Sequence, residues 1–333
     1  MSRDESPVVR AVSPDEGYTW IHRAFLQAFK THSVLTVDEM KPILAYVMTA
    51  HNPDRPWTEG DITQPQITNT VQTINAKIEP YDFEIRSIRD QHTKLPTYAF
   101  VNKTSDSLTQ LATKFSASEI AYIRRLLDAM FETNNTHNRE TMALKHTEAS
   151  QLARPRRNRQ SQANGTGNTE DGETSQVAAD AGISIQEADD VLDTLVNESF
   201  FQQSSAGYYS LAPRGLMELG AYLKETYNED ADDAEDGVER IRIRDCEGCR
   251  ELVTYGIRCS NRECGVRWHD ACANSYYRGR AREQRKCPKC ETECTGDVYV
   301  GERADRAGGR SSTGGNRRST QVQRDEDEDS ETT

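Results

Sequence analysis

The sequence predicts an α+β protein with three ordered parts: two helical units that each end in a β-hairpin, followed by a small cysteine-rich module. Apolar residues recur at helical spacing in two separate regions, and two short β-rich runs follow each region. All eight cysteines of the 333 residues lie between positions 246 and 294. A chain of this length is too long to fold around one small hydrophobic core, so several domains are expected.

The first unit, expected over residues 18–110, has the order of a winged helix, three helices followed by a hairpin. A single apolar face predicts a helix from Tyr18 to His32. A second helix is expected after Thr36, because Thr36 and Glu39 form a T-x-x-E capping signal, and a third from about Thr63. The β-rich runs that complete the unit are FEIRSI at 83–88 and TYAFV at 97–101.

A second winged-helix unit is expected over residues 111–227, with a disordered insertion at 153–175. Its elements are predicted from the same capping signals and apolar periodicity. In chain order they are a helix after Ser116, a weaker helical stretch near Arg139 to Leu152, a short helix in SQVAADAGIS (175–184), a helix from Ile185 to Ser199, a hairpin from Phe200–Phe201 to Tyr208–Tyr209 and a helix opened by Pro213. The repeated order predicts two winged helices in tandem.

Winged helices often bind DNA, but the charges of these two favour protein partners. The helix from Ile185 to Ser199 corresponds to a DNA-reading helix, yet it contains five acidic residues and neither Lys nor Arg. Carboxylates in a groove lined by phosphates would reverse the dominant attraction. In the equivalent helix of the first unit, Glu79 opposes Lys77. No direct sequence-specific DNA binding is therefore predicted.

One basic cluster departs from this pattern and lies in the insertion: Arg154, Arg156, Arg157 and Arg159. Two interpretations stay open for it, a weak contact with DNA and a solvated run of charge. The formal net charge of −13 argues against a uniformly basic nucleic-acid binder.

Several segments have compositions that do not support a packed core. The N-terminus (1–17) and the tail (301–333) are expected to be disordered, and residues 228–240 to form an acidic linker, because eight acids lie between Glu225 and Glu239. No secretory h-region and no run of eighteen apolar residues occurs, so neither secretion nor membrane contact is expected. A reducing compartment is predicted, where clustered cysteines more often hold metal than form disulfides.

The cysteine-rich module, expected over residues 241–300, carries the strongest functional signal. Its candidate ligands follow the pattern C-x2-C-x9-C-x4-C-x4-H-x2-C-x14-C-x2-C: Cys246, Cys249, Cys259, Cys264, His269, Cys272, Cys287 and Cys290. Zinc takes four tetrahedral N or S ligands, and residues two to four positions apart can turn around one ion. Two zinc ions are therefore predicted. Because no coordination position is left for water, they are expected to hold shape rather than to support hydrolysis.

Spacing alone does not decide whether ligand pairs are used in sequence or interleaved, nor whether Cys294 is a spare thiol or replaces Cys290. The C4HC3 order with a final CPKC resembles the RING family, in its RING-like variant, whose members interleave their pairs. The resemblance implies one ion on Cys246, Cys249, His269 and Cys272, and the other on Cys259, Cys264, Cys287 and Cys290. Plant-homeodomain histone readers share this order, but they typically have Trp where Arg285 stands.

Tandem winged helices followed by such a module resemble one family over roughly residues 18–300. It is the RING-bearing subunit, non-SMC element one, of the chromosome-maintenance complex built on SMC proteins five and six. Besides the cysteine spacing, the resemblance rests on HSVLTVDEMKPILA, INAKIEPYDFEIRS and GYYSLAPRGLMEL. It implies a MAGE-type partner subunit, a kleisin subunit, a role in DNA repair and recombination, and a nuclear, chromatin-associated location.

Members of this family are assigned as ubiquitin ligases, so the resemblance implies E3 ubiquitin-protein ligase activity without a catalytic side chain. RING ligases contact a ubiquitin-conjugating enzyme through a Pro between the last two ligands, where Pro288 stands. Glu247 and Gly248 replace the usual apolar contact between the first two ligands, and Glu291 occupies a place that is often basic. Weak activity that a partner raises is therefore expected. The alternative is a non-catalytic structural adaptor whose zinc module is a docking surface.

Overall fold

The structure, a computed structural model, describes residues 17–103, 114–155, 182–229, 239–281 and 284–310. Within these ranges the chain forms three sheets of three antiparallel strands each. Two sheets belong to the helical units and the third to the cysteine-rich module, so the predicted fold class is confirmed. Among the described residues, no helix combines the length and the apolar character that a bilayer crossing needs.

The first unit contains three helices and a sheet in the winged-helix order. Its elements are α1 (Trp20–His32), β1 (Val34–Thr36), α2 (Val37–His51), α3 (Gln64–Ile78), β2 (Phe83–Arg89) and β3 (Pro96–Asn102). The capping signal is confirmed, because the Glu39 N–H donates to Thr36 Oγ1 and the Thr36 N–H donates to the Glu39 carboxylate. Phe25, Phe29 and Ile74 are fully buried in the core of this unit.

The second unit repeats this arrangement of helices around a three-stranded sheet. Its elements are α4 (Ala117–Asp128), β4 (Leu144–Lys145), α5 (His146–Gln151), α6 (Ile185–Asn197), β5 (Phe201–Gln203), β6 (Tyr208–Leu211) and α7 (Pro213–Tyr227). Ala129–Thr133 extends α4 by a π-helical turn. Ser116 and Ser184 cap α4 and α6 as their sequences predict.

The helical stretch predicted near Arg139 to Leu152 is wrong for residues 139–143. Within this stretch only α5 is helical. Glu140 pairs with Asn135 in an isolated bridge, and Met142 has a left-handed φ of 44°. Leu144 and Lys145 pair with β6 as the third strand of the sheet. Since the backbone groups of this stretch are used in bridges and strands, they are not available for a helical ladder.

The cysteine-rich module packs directly against the second unit. Its elements are β7 (Gly256–Arg258), β8 (Arg267–Trp268), α8 (Asp270–Tyr276) and β9 (Tyr299–Val300), with the sheet order β8-β7-β9. Ile243 and Val253 of the module belong to the same buried cluster as Leu223 and Tyr227 of α7. The first unit joins this assembly where Val101 of β3 packs on α7.

A final helix, α9 (Glu302–Arg310), corrects the prediction of a disordered tail beginning at residue 301. The Tyr208 hydroxyl donates to the Asp305 carboxylate at 2.6 Å, and Asp305 forms ion pairs with Arg139 at 2.9 Å and Lys145 at 3.0 Å. Composition suggests a solvated segment here, but three side chains of the second unit bind the Asp305 carboxylate. The helix therefore ties the end of the module back to the second winged helix.

The other segments expected to be disordered fall largely outside the described residues. These are 1–16, 156–181, 230–238 and 311–333, which include most of the short helix expected at 175–184 and all of the basic cluster except Arg154. The two ends of the acidic linker are described. Glu229 and Arg240 exchange backbone hydrogen bonds of 3.0 and 2.8 Å, and their side chains form an ion pair at 3.0 Å.

Candidate metal centres and the groove beside them

The structure brings the eight predicted ligands together as two separate groups of four. The first cluster consists of Cys246, Cys249, His269 and Cys272, whose ligand atoms all lie within 4.8 Å of one another. The second cluster consists of Cys259, Cys264, Cys287 and Cys290, within the same limit. The pairs are therefore interleaved along the chain, as the resemblance to RING proteins implies.

Each C-x2-C pair lies in a turn with the same backbone hydrogen bonds. The Cys246 N–H donates to the Glu251 carbonyl at 2.8 Å, and the Arg250 N–H donates to the Cys246 carbonyl at 2.9 Å. The turn that begins at Cys287 has both equivalents, at 2.9 and 3.1 Å. Arg250 and Glu291, the fifth residues of the two turns, have left-handed φ values of 64° and 55°. Side chains avoid this conformation by roughly 1 kcal/mol, so the surrounding contacts hold both turns in place.

His269 is placed to offer its Nδ1 atom to a metal ion. It precedes α8, and its Nδ1 lies 3.2 Å from Cys249 Sγ. Its Nε2 lies 3.1 Å from the Leu252 carbonyl oxygen and donates a hydrogen bond to it. This bond fixes the tautomer that leaves Nδ1 unprotonated and able to coordinate a metal.

Hydrogen bonds make one thiol in each cluster acidic. Burial raises the pKa of Cys246, but hydrogen bonds, among them those from the backbone N–H groups of His269 and Gly248, outweigh it and lower the pKa to about 6. Hydrogen bonds from the hydroxyl and N–H of Thr292 lower the pKa of Cys290 to about 6. Burial raises the pKa of Cys272 to about 12. Since the thiolate is the form that binds metal, each cluster contains one side chain already in that form near neutral pH.

The donor sets and sulfur positions fit zinc. Cys259 Sγ lies 3.5 Å from Cys290 Sγ, and Cys264 Sγ lies 3.6 Å from Cys287 Sγ. A tetrahedral ion with bonds of about 2.3 Å separates its sulfur ligands by about 3.8 Å, close to these values. Three Cys with one His, and four Cys, are the donor sets of closed structural zinc sites. Cys294 is buried outside both clusters, so it does not replace Cys290.

A groove of about 490 Å³ lies beside the first cluster and contains Pro288. Its other lining residues are Glu247, Gly248, Cys249, Trp268, Cys272, Ser275 and Tyr276. The rings of Trp268 and Tyr276 stack with their centroids 4.8 Å apart and form an apolar wall. A Cβ at position 248 would lie 3.1 Å from Cys272 Cβ and 3.2 Å from the Trp268 ring, so no side chain fits there without movement.

Glu247 gives one end of this groove a charge. Its carboxylate is only 18% exposed and lies 3.4 Å from Lys289 Nζ and 3.6 Å from an Arg250 guanidinium nitrogen. The position that is apolar in RING ligases is therefore occupied by a partly buried carboxylate between two cations.

The turn between β2 and β3, residues 90–95, reaches the first cluster and is called the first wing below. Gln91 is buried there, and its Nε2 donates to the Leu252 carbonyl at 2.8 Å. Its Oε1 accepts from the Thr254 N–H at 3.0 Å. The Leu252 carbonyl also accepts from His269. A single oxygen atom therefore joins the first winged helix to a candidate metal ligand.

A buried carboxylate, Glu140, connects the second unit to the strands beside the second cluster. It accepts from Arg258 Nη1 at 2.7 Å and from Arg267 Nε at 2.7 Å. Arg258 directly precedes Cys259, and Arg267 also donates to the Cys264 carbonyl at 2.8 Å. Burial raises the pKa of Glu140, but hydrogen bonds and charge from Arg267 and Arg258 outweigh burial and hold that pKa below its usual value.

The sequence does not single out Gln91 or Glu140. They stand in the polar stretches DQHT and NRET, which have no ligand spacing and no periodicity. Gln91 and Thr254 are 163 positions apart, and Glu140 and Arg267 are 127 apart. Only the folded arrangement brings these residues to the module, so no local signal could have revealed them.

Two winged helices in tandem, followed by two interleaved four-ligand clusters, define a winged-helix protein with a RING-like module. Comparison with protein families finds a match for each of these two parts. The family described as "Nse1 non-SMC component of SMC5-6 complex" matches residues 22–219, and the RING-like domain family matches residues 246–290. Because the first match covers more than half of the chain, the chain belongs to the Nse1 family.

Curated relatives resemble the chain over most of their length. A Homo sapiens protein named "Non-structural maintenance of chromosomes element 1 homolog" is 23% identical over 272 residues, 82% of this chain and 83% of the relative. The Drosophila melanogaster protein of that name is 22% identical over 272 residues, 81% of this chain and 93% of the relative. A solved chain of an "Nse1-Nse3-Nse4 complex" matches with a TM-score of 0.59 at 19% identity, covering 83% of this chain and 96% of that chain. That likeness shows a shared fold.

Proposed function

We propose that this chain is a zinc-binding, RING-like subunit of a complex built on SMC proteins five and six. In this proposal it acts in DNA repair and recombination as a partner-stimulated E3 ubiquitin-protein ligase in the nucleus, on chromatin. The observation that carries the proposal is the groove containing Pro288 beside the first cluster, in a chain of the Nse1 family. No side chain is assigned a catalytic role.

Each cluster is proposed to hold one zinc ion through its four Cys or His side chains. Bound zinc supplies shape here, since four protein ligands leave no open position for a water molecule. The chain's own part is to present the ligands. The two hydrogen-bonded turns place Cys246 and Cys287, and the Leu252 carbonyl orients the His269 ring.

The groove is proposed to bind a ubiquitin-conjugating enzyme that already carries a ubiquitin thioester. Pro288 and Tyr276 provide the exposed apolar surface for this contact, and the buried Trp268 ring supports Tyr276 by stacking on it. Ligation follows from holding the thioester near an acceptor lysine, because orientation alone can lower the barrier of such a transfer substantially. The carboxylate of Glu247 makes the contact weaker than an apolar side chain would, which supports low activity of the isolated chain.

The winged-helix units are proposed to bind the other subunits, a MAGE-type subunit and a kleisin subunit. The support is the structural likeness to a chain of a complex that contains Nse3 and Nse4 besides Nse1. Charge adds to this support. Helix α6 carries Glu187, Asp189, Asp190 and Asp193 and no cation, which opposes insertion into a DNA groove.

An autoubiquitination assay with a panel of conjugating enzymes tests the proposal. The full chain, with and without its MAGE-type partner, is expected to form ubiquitin chains with at least one conjugating enzyme, and more with the partner present. Cys259→Ser, which removes a ligand of the second cluster, is the inactive control. Equal activity with and without the partner would contradict the partner-stimulated mechanism.

The second candidate function is a structural adaptor whose RING-like module only docks proteins. The specific observation in its favour is Glu247, which places a charge where RING ligases use an apolar contact. Its distinguishing outcome is the absence of ubiquitin chains with every conjugating enzyme, in a complex whose assembly still requires the folded module. Pull-down of the partner subunits by Cys259→Ser measures that requirement.

A further inference from the structure

A cleft of about 570 Å³ opens where the second winged helix meets the RING-like module. It shares no lining residue with the groove beside the first cluster. Its charged lining residues are five arginines and three glutamates: Arg240, Arg242, Arg244, Arg262, Arg267, Glu140, Glu239 and Glu263. This local excess of positive charge stands in a chain with a net charge of −13.

Part of this charge is matched within the protein. Glu140 forms an ion pair with Arg267, and Glu229 forms an ion pair with Arg240 at 3.0 Å. Glu263 lies 3.3 Å from His137 Nε2. Two of the three lining glutamates, Glu140 and Glu263, are therefore engaged with residues other than Arg244 and Arg262, whereas Glu239 lies near enough to Arg244 to attract its charge.

Among the described residues, three arginines of the cleft have no direct carboxylate partner: Arg242, which donates to the Glu132 carbonyl at 3.4 Å, Arg244 and Arg262. Arg262 donates to the neutral Asn138 Oδ1 at 2.7 Å. The half-buried side chain of Arg244 makes no hydrogen bond or ion pair to any residue in the described ranges; Arg267 repels its charge, and Glu140 and Glu239 attract it without direct contact. Its guanidinium lies across Gly265, where any Cβ would collide with Nη1. The absence of a side chain at position 265 thus makes room for the guanidinium.

We propose that this cleft binds a phosphoryl group, presented by a phosphoserine or phosphothreonine side chain of a partner protein, between Arg244 and Arg262. A guanidinium offers parallel N–H donors that match two phosphate oxygens, and a phosphate at neutral pH carries nearly two negative charges. Arg244 and Arg262 in one confined cleft provide complementary charge and donors. The proposal is independent of ligase activity.

The shape and the walls of the cleft favour one phosphorylated side chain over nucleic acid. A volume of about 570 Å³ admits a phosphorylated side chain with its neighbours, not a duplex. Glu239 and Glu263 flank the arginines and would repel the successive phosphates of a nucleic-acid backbone. A single phosphoryl group meets this repulsion once, whereas a nucleic-acid backbone meets it at successive phosphates.

The effect of removing the Arg244 charge on stability distinguishes a ligand-binding arginine from a structural one. A half-buried guanidinium that forms no hydrogen bond or ion pair within the described residues is desolvated without direct compensation, so an anion bound to it is expected to stabilise the fold. Arg244→Met keeps the aliphatic length but removes the charge. We therefore expect this variant to raise the melting temperature of the free protein, whereas loss of a structural arginine would lower it.

The test uses the zinc-loaded full chain with two short peptides that differ only in one phosphoserine or serine, and with a short DNA duplex. The phosphoserine peptide is expected to raise the melting temperature of the unmodified chain, and the serine peptide is not. Titration calorimetry should show that Arg244→Met and Arg262→Gln weaken phosphopeptide binding at least about tenfold, the scale of one charge-assisted bidentate contact. Arg280→Met alters an arginine of the same module that stacks on Tyr276 outside the cleft, so it should bind normally.

Three results would overturn the proposal. The first is phosphopeptide binding by Arg244→Met at the affinity of the unmodified chain. The second is an equal loss of binding in Arg280→Met, which would indicate general attraction to positive charge. The third is a lower melting temperature of free Arg244→Met together with tighter binding of the DNA duplex than of the phosphopeptide, which would assign the cleft to nucleic acid.

Discussion

The two candidate metal clusters have the same turn geometry but different neighbours. In the first cluster Cys249 is exposed, and the Leu252 carbonyl beside it bonds to Gln91 of the first wing. In the second cluster Cys259, Cys264 and Cys287 are buried, and the strands beside them are joined to Glu140 of the second unit. One polar residue of each winged helix therefore lies beside a different cluster: Gln91 beside the first and Glu140 beside the second. Loss of either side chain is expected to affect mainly the cluster beside it.

The largest expected effect comes from removing a ligand of either cluster. Cys246→Ser and Cys259→Ser each take one thiolate from a set of four. Structural zinc binding contributes on the order of 10 kcal/mol to folding, so the module should lose its ordered structure in both variants. Metal analysis should show less than two zinc ions per chain. Cys294→Ser removes a buried cysteine outside both clusters and should keep the full zinc content. Full zinc retention by Cys259→Ser would refute the ligand assignment.

Glu140→Gln is the next strongest change, and it is directed at the second cluster. It leaves Arg258 and Arg267 buried without a carboxylate, which costs about 3–5 kcal/mol in the free energy of unfolding. Urea unfolding measures that loss. When urea is added to the cobalt-substituted variant, the absorption spectrum of the four-cysteine site should change at a lower urea concentration than that of the site with histidine. Glu263→Gln alters an exposed carboxylate and is the control, expected to change stability by less than about 0.5 kcal/mol.

The contribution of Glu140 should depend on pH with a defined sign. Its pKa is lower in the folded protein than its ordinary value of 4.5. Such a group stabilises the fold above its unfolded pKa, and this stabilisation is lost as the pH falls through the folded pKa. The difference in unfolding free energy between the unmodified protein and Glu140→Gln should be constant near neutral pH and shrink below about pH 4.5. Urea unfolding of both at several pH values checks this, and a difference that grows on acidification contradicts it.

Gln91→Ala tests the support of the first cluster and should have a moderate effect. It removes one of the two hydrogen bonds to the Leu252 carbonyl and leaves the N–H groups of Thr254 and Tyr255 without their acceptor, which costs about 1–3 kcal/mol. Because Leu252 also orients His269, a chelator should extract one of the two zinc ions faster. Gln202→Ala removes a glutamine whose side chain, among the described residues, donates to Ser210 and Leu211 of the second unit, and it should leave zinc release unchanged. If both variants released zinc equally faster, Gln91 would have no specific role at the first cluster.

Glu247→Leu is the mildest change and concerns activity. A leucine restores an apolar side chain at the end of the groove, and one such contact is worth about 1 kcal/mol, or about fivefold in affinity for a conjugating enzyme. Ubiquitin-chain formation by the isolated chain should rise by a similar factor. Glu251→Leu changes an exposed carboxylate outside the groove and should not raise activity. Equal rates in the unmodified chain and Glu247→Leu would argue that the groove does not bind the enzyme.

The residues whose role depends on their own chemistry could be predicted from the sequence. All eight cluster residues and the capped helices α2, α4 and α6 were identified in this way, because ligand spacing and capping act over a few neighbouring positions. The interleaving of the pairs came from the resemblance to RING proteins, since spacing leaves it open.

The elements that depend on distant partners could not be predicted. Strands β1 and β4 have three and two residues, too short to show an alternating pattern, and they exist because β3 and β6 offer free edges. Helix α9 has the composition of a solvated segment, and it is held by Tyr208 and Lys145 of the second unit. Gln91 and Glu140 are missed for the same reason.

The return of residues 301–305 to the second winged helix has a practical consequence for dissecting the protein. A fragment that stops at Cys290, where the match to the RING-like family ends, keeps every cluster residue. It loses Glu291 and Thr292, which complete the turn of the second cluster, and also β9 and the Asp305 contact with the second winged helix. Biochemical failure of such a truncated piece would therefore reflect these lost contacts and carry no information about whether the intact subunit is an enzyme.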